Sequence, residues 1–149
     1  MRVVLQRVTR ASVEVGEKII GTIGAGLLVL LGVAQTDTEK DADWLVEKIL
    51  KLRLFSGGEE SGFEKNIVEI GGSLLIVSQF TLYGDCKKGT RPSFSSAARP
   101  EQAEKLYEYF LEKCVDAGIQ TESGQFGANM EVDLVNDGPV TMTIDSNHI

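Results

Sequence analysis

The chain has 149 residues, 42% hydrophobic and 25% charged, which excludes a disordered, collagen-like or coiled-coil protein. A chain of this length buries about 70% of the surface its unfolded form exposes, so one domain over residues 1–149 is expected to hold its core without disulfide or metal. The formal charge of −7 argues against non-specific coating of nucleic acid, which depends on displacing counterions from many phosphates, so a polyanionic partner must meet a local basic patch.

The longest apolar stretch, residues 26–34, is too short to span a bilayer, and Arg2, Arg7 and Arg10 are threaded through a strand pattern rather than preceding a signal-peptide core. A cytoplasmic protein without membrane contact is expected. Cys86 and Cys114 form no CxxC pair and read as reduced thiols. The only histidine is His148, which removes the usual general base and the commonest metal ligand from any site in the body of the fold.

Residues 2–9 and 12–15 alternate and are rich in β-branched side chains. Residues 18–23 follow a Gly16 turn, and 26–33 form a continuous apolar run bounded by glycine, as a fully buried strand does. Hairpins are the simplest connections between them. Over residues 38–52 the period changes: Ala42, Leu45, Val46, Ile49 and Leu52 recur at helical spacing, and Thr38 with Asp41 forms a capping box. The glycine-rich stretch 53–72 predicts a long connection with one short strand at 66–70. Residues 73–82 predict a second buried strand, and 83–99 a polar excursion.

The second helix is the best-marked element. Pro100 falls at N1, one face carries Ala103, Leu106, Tyr107, Phe110 and Cys114, and Gly118 supplies C′. Two strands, 129–135 and 139–145, close the chain around Asn136, Asp137 and Gly138. The fold class is α/β or α+β: a curved, barrel-like, mostly antiparallel mixed sheet with two main helices packed on it.

Three segments carry chemistry. The apolar strand at Leu74, Leu75, Ile76 and Val77 turns abruptly into Ser78-Gln79-Phe80-Thr81-Leu82, where a rigid core would fix a site. A strand merely surfacing fits the same pattern. Asp137-Gly138-Pro139 reads as a turn whose proline opens an edge strand, and only about 5–6% of X-Pro bonds in folded proteins are cis, so trans is the default from pattern alone. Lys87, Lys88, Arg91 and Arg99 lie in a stretch with no acidic residue between Cys86 and Pro100, whereas the residues after Cys114 include six acidic side chains and no Lys or Arg. Such clustering suits either a solvated loop or a dock for a few phosphates.

Taken together, the N-terminal Met1-Arg2-Val3-Val4-Leu5-Gln6-Arg7-Val8, the segment from Ser78 to Leu82, Lys88-Gly89-Thr90-Arg91-Pro92-Ser93-Phe94, Phe126-Gly127-Ala128 and Asn136-Asp137-Gly138-Pro139-Val140-Thr141 resemble the D-aminoacyl-tRNA deacylase family over the whole chain. The resemblance implies hydrolysis of the ester joining a D-amino acid, or achiral glycine, to tRNA. It implies a homodimer with its sites at the subunit interface; no cofactor and no metal ligand is assigned from the sequence. By the same likeness the Gly138–Pro139 bond is cis and enters the partner's pocket as a chiral selector with Val140 beside it. Arg7 holds that loop and Phe126 lines the pocket.

Backbone N–H groups from Ser78 to Phe80 are expected to stabilise the oxyanion, with Gln79 and Thr81 shaping the pocket. Thr81 is the obvious nucleophile, yet a threonine hydroxyl needs a base, so assistance by the ribose 2′-hydroxyl is favoured. Lys87, Lys88 and Arg91 are expected to meet the acceptor stem. The competing readings are an esterase on small aminoacyl esters and a non-catalytic or editing-like dimeric RNA-binding domain. Related folds serve as editing domains of some archaeal threonyl-tRNA synthetases.

Overall fold

The computed structural model describes residues 1–58 and 60–147; the expectation attached to His148 falls outside them. Chain order is β1 (Arg2–Val15), β2 (Lys18–Ile23), β3 (Gly26–Gly32), α1 (Glu39–Lys51), β4 (Arg53–Phe55), β5 (Lys65–Asn66), β6 (Ser73–Ser78), α2 (Pro100–Asp116), β7 (Gln120–Ser123) and β8 (Glu131–Asp145), with a 3₁₀ turn at Phe80–Tyr83 after β6.

β1 organises the sheet. One of its edges pairs antiparallel with β3 from Arg2 to Val8 and with β2 from Ala11 to Val15, while the other edge pairs with β8. β2 and β3 are therefore not a hairpin with each other. β3 runs parallel to β6, and β6 parallel to β7, while the long pairings of β1 with β2, β3 and β8 are antiparallel, so the sheet is mixed and mostly antiparallel, as expected. A Cβ built on Gly21 of β2 would lie 3.0 Å from the Ser123 carbonyl of β7, and this approach of the sheet's ends makes it nearly a closed barrel.

The central strands β3 and β6 are buried on both faces, which accounts for their unbroken apolar sequence. One face meets both helices through Leu45, Ile49, Tyr107 and Phe110. The other forms a smaller cluster around Val13, Leu28, Leu75 and Val77 inside the curved sheet. α1 has the expected capping contact, Asp41 Oδ2 accepting from the Thr38 N–H at 2.8 Å, and Gly118 follows α2 with φ +83°.

Several boundaries differ from expectation. Residues 2–9 and 12–15 are one strand, because register shifts against β8 around Val8 bend it without a turn. The two C-terminal strands are likewise one: Gln6 pairs with Thr141 and Val8 with Asn136, so residues 137–140 are extruded from β8 as a wide bulge rather than a hairpin turn. The short strand expected at 66–70 is the two-residue β5, Lys65–Asn66, which ends where Asn66 Oδ1 accepts from the Glu69 N–H at 2.9 Å and turns the chain. β6 stops at Ser78 and does not continue to Leu82. The short polar β7, paired parallel at the edge, has no periodic signature and was not anticipated.

Candidate active site

The buried body of β6 fixes where its polar end emerges. Beyond Ser78 the Gln79 N–H donates to the Leu31 carbonyl at 2.8 Å, after which the chain leaves the sheet as a 3₁₀ turn closed by Leu82 N–H to Gln79 O at 3.2 Å. Gln79 Nε2 donates to Thr81 Oγ1. The turn fits because β3 has no side chain beneath it: a Cβ on Gly32 would lie 3.1 Å from both the Gln79 oxygen and Leu82 Cβ.

This turn forms one wall of a cavity of about 620 Å³, within the usual range for small-ligand sites. Phe80, 55% exposed, meets Phe94 edge-to-face at 5.0 Å between ring centroids, and both reach the cavity with Ala97 and Pro100. The opposite wall is Phe126, Gly127, Asn129 and Met130, with Phe126 braced against Tyr107 at 5.8 Å. Tyr107 is fixed by its hydroxyl, which donates to Ile76 O at 2.8 Å, and burial pushes its pKa up to about 12. Among the described residues that line it, none carries an ionisable side chain.

The structure thus brings together Ser78, Gln79, Phe80 and Phe126, with Thr81 exposed on the adjoining turn. Leu31 takes the Gln79 N–H out of the expected donor row from Ser78 to Phe80; the Phe80 N–H, joined by the Thr81 N–H from outside that row, opens the turn with no acceptor within it. Phe94, Asn129 and Met130 were not singled out, although Phe94 ends the Lys88-to-Phe94 motif.

Gly138, Pro139 and Val140 line no part of this cavity in the same chain. They form the extruded bulge of β8, where Gly138 and Pro139 are exposed and the Gly138–Pro139 bond is cis, not the trans default of pattern alone. Asn136 braces the bulge from within: its Oδ1 accepts from the Val140 N–H at 2.7 Å and its Nδ2 donates to Thr141 Oγ1 at 2.9 Å. Arg7 Nε donates to Asp137 O at 2.9 Å and Arg7 Nη1 to Leu54 O at 2.7 Å.

Lys87, Lys88 and Arg91 are exposed on a separate loop pinned by paired backbone hydrogen bonds between Asp85 and Ser93. Lys87 shares a second cavity, of about 510 Å³, with Arg2, Tyr83 and Cys86. Its own N–H donates to Asp85 Oδ1 at 3.0 Å.

A profile of the D-Tyr-tRNA(Tyr) deacylase family matches residues 4–145. The chain belongs to this family. It is 55% identical over 150 residues to the D-aminoacyl-tRNA deacylase of Thermosipho melanesiensis, covering 100% of this chain and 99% of that one. To the D-aminoacyl-tRNA deacylase of Clostridioides difficile it is 54% identical over 146 residues, 98% and 97% of the two chains.

Among solved structures, one titled c-Myc DNA Unwinding Element Binding Protein superposes with a TM-score of 0.91 at 44% identity, covering 99% of this chain and 100% of that one. Another, titled as a probable eukaryotic D-amino acid tRNA deacylase, has a TM-score of 0.84 at 20% identity, covering 97% and 98%. It shares the fold. The deacylase family profile spans both the cavity and the β8 bulge, and among the described residues no helix is long and apolar enough to cross a membrane.

Proposed function

We propose that this chain, acting as one domain over residues 1–149 in the cytoplasm, hydrolyses the ester between a D-amino acid and the 3′-terminal adenosine of tRNA. The observation that carries the reading is a cavity, lying within the segment that matches the deacylase profile, with no titratable side chain among its described lining residues. Acid–base work in such a cavity falls to the substrate and to water.

In this mechanism water adds to the ester carbonyl, the oxyanion takes hydrogen bonds from the Phe80 and Thr81 N–H groups, and the ester C–O bond breaks. The ribose 2′-hydroxyl relays the proton lost by water to the departing 3′-oxygen, releasing free amino acid and tRNA. Ser78 and Gln79 shape the floor, and Phe126 the far wall. Thr81 is given a shaping role and not the attack, because its hydroxyl oxygen accepts from Gln79 and no base is bonded to it among the described residues.

Chiral selection comes from a second copy of the chain in a homodimer. Gly138, Pro139 and Val140 of that copy close the cavity, their carbonyls accept from the substrate α-ammonium, and the braced backbone leaves no room for an L side chain. Arg7 holds this loop. Glycine, having no side chain to reject, is also a substrate. Lys87, Lys88 and Arg91 meet acceptor-stem phosphates, so binding weakens with salt.

The test is deacylation of matched D- and L-aminoacyl-tRNA and of glycyl-tRNA by the purified protein, with Gly138→Ala and Thr81→Ala alongside. D-specific hydrolysis is expected. Gly138 has φ +137° and a Cβ there would lie 2.8 Å from Val140 Cγ2, so Gly138→Ala should erode the D-over-L ratio. Thr81→Ala should cost under about tenfold in kcat; a loss on the order of 10⁶-fold would make Thr81 the nucleophile. No hydrolysis of any ester by folded protein would favour the RNA-binding reading. Unchanged tRNA affinity after neutralising Lys87, Lys88 and Arg91 together would remove their role.

A further inference from the structure

The turn that carries Gln79, Phe80 and Thr81 is short and partly solvent-facing, and the backbone hydrogen bonds that close its ends, Leu82 N–H to Gln79 O and Gly84 N–H to Thr81 O, are local. A site that relies on the Phe80 and Thr81 N–H groups needs that turn held to a fraction of an ångström. The hold comes from the far end of β1. Arg2 Nη1 donates to the Leu82 carbonyl at 2.8 Å, and its guanidinium stacks 4.6 Å from the centroid of the Tyr83 ring. Its Nε meanwhile donates to Asp145 Oδ2 at 2.9 Å, the last residue of β8 and the register partner of Arg2.

We infer that Arg2 is a positioning residue for the deacylation site: anchored at the junction of β1 and β8, it clamps the 3₁₀ turn from outside so that the Phe80 and Thr81 amides face the cavity. This deepens the deacylase reading and rests on it. The guanidinium suits the task because its planar fork serves two acceptors at once while its face lies on an aromatic ring. Gly32 complements it from below, since a Cβ at that position would lie 3.1 Å from Leu82 Cβ and 3.3 Å from Tyr83 Cδ2. The turn therefore sits between a missing side chain on β3 and a bridging one on β1. Arg2 itself lines the second cavity and not the first, so it touches no reacting atom.

Arg2→Met keeps the stem and removes the clamp; Arg2→Lys restores a single donor for Leu82 O. Two readouts are taken on each: kcat and KM for D-aminoacyl-tRNA per active site, and hydrogen–deuterium exchange of the peptide spanning residues 80–84. Arg2→Met should lower kcat on the order of 10²-fold with KM within about twofold, and Arg2→Lys should recover most of that loss. Exchange in residues 80–84 should rise about tenfold while the β1·β8 pairing from Glu131 to Leu134 keeps its protection.

An unchanged kcat in the Met variant overturns the inference, as does a loss accompanied by unaltered exchange in the turn. So does a loss spread equally over the whole molecule, which marks Arg2 as general scaffolding. Should wild-type protein hydrolyse no aminoacyl-tRNA, the deacylase reading fails, and the exchange result alone decides whether Arg2 clamps the turn.

Discussion

Arg7 and Asp137 are joined by a 2.9 Å hydrogen bond from the arginine Nε to the aspartate main-chain oxygen, so the bulge of β8 is gripped by its backbone and not chiefly by its side chain. The carboxylate is farther away, at 3.7 Å, and half exposed. Arg7→Met removes this grip together with the 2.7 Å bond to Leu54 O, and Asp137→Asn leaves both main-chain bonds intact. The expected result is a D-over-L deacylation ratio about tenfold lower or worse in Arg7→Met and nearly unchanged in Asp137→Asn. An equal loss in the two variants would show that the carboxylate does the holding, and a wild-type ratio in both that neither contact sets the selection.

The architecture was legible where burial and period coincide. β3, β6 and both helices have apolar patterns that only a two-sided or one-sided core explains, and Pro100 and Gly118 mark the ends of α2 by backbone chemistry alone. What the pattern did not reveal is long-range. Nothing local in residues 136–141 distinguishes a hairpin turn from a bulge within one strand; the difference lies in how β1 continues past Val8 on the opposite side. Likewise Ser78 to Leu82 announced a polar strand end, but the Leu31 carbonyl that takes the Gln79 N–H, and the gap at Gly32 that lets the chain curl, belong to β3. Arg2 looked like one cation in an alternating strand, and its partners are distant in sequence at Leu82 and Asp145.

Gly32→Ala tests the fit beneath the turn. The added methyl would lie 3.1 Å from the Gln79 oxygen and Leu82 Cβ, tighter than ordinary contact, and β3 is too well packed to retreat. The turn should shift instead, with a stability loss of about 1–3 kcal/mol by urea unfolding and a kcat loss on the order of 10²-fold. A variant destabilised to that extent but fully active would separate the turn's position from catalysis.

Asp37 closes a buried polar knot. Its Oδ1 accepts from the Met1 ammonium at 2.6 Å and its Oδ2 from the Ala34 N–H at 2.6 Å, with both ion-pair side chains fully buried. Asp37→Ala would leave a buried cation with only Ser146 Oγ, at 2.8 Å, among the acceptors described for it. The expected cost is about 3–5 kcal/mol, read as a lowered urea midpoint at unchanged m-value. A loss below about 1 kcal/mol would mean that the pair behaves as a solvent-exposed one.

The stability of the protein should fall at alkaline pH. Burial pushes the Cys114 thiol from its ordinary 9.0 up to about 12, and burial also moves Tyr107 from 10.0 to about 12. Both groups are neutral in the folded state and easier to ionise once unfolded, so the folded form binds more protons between the two values. The stabilisation is therefore complete below about pH 9 and is lost as pH rises towards 12, at up to about 1.4 kcal/mol per pH unit for each group. Thermal unfolding from pH 8 to 12 should show a Tm that declines from about pH 9 in the wild type. In Cys114→Ala the contributions of Tyr107 and Tyr83, both raised chiefly by burial from an ordinary 10.0, remain, so the decline should begin near pH 10. Superimposable pH profiles for the two proteins between pH 9 and 10, after allowing for a constant offset, would show that Cys114 does not contribute.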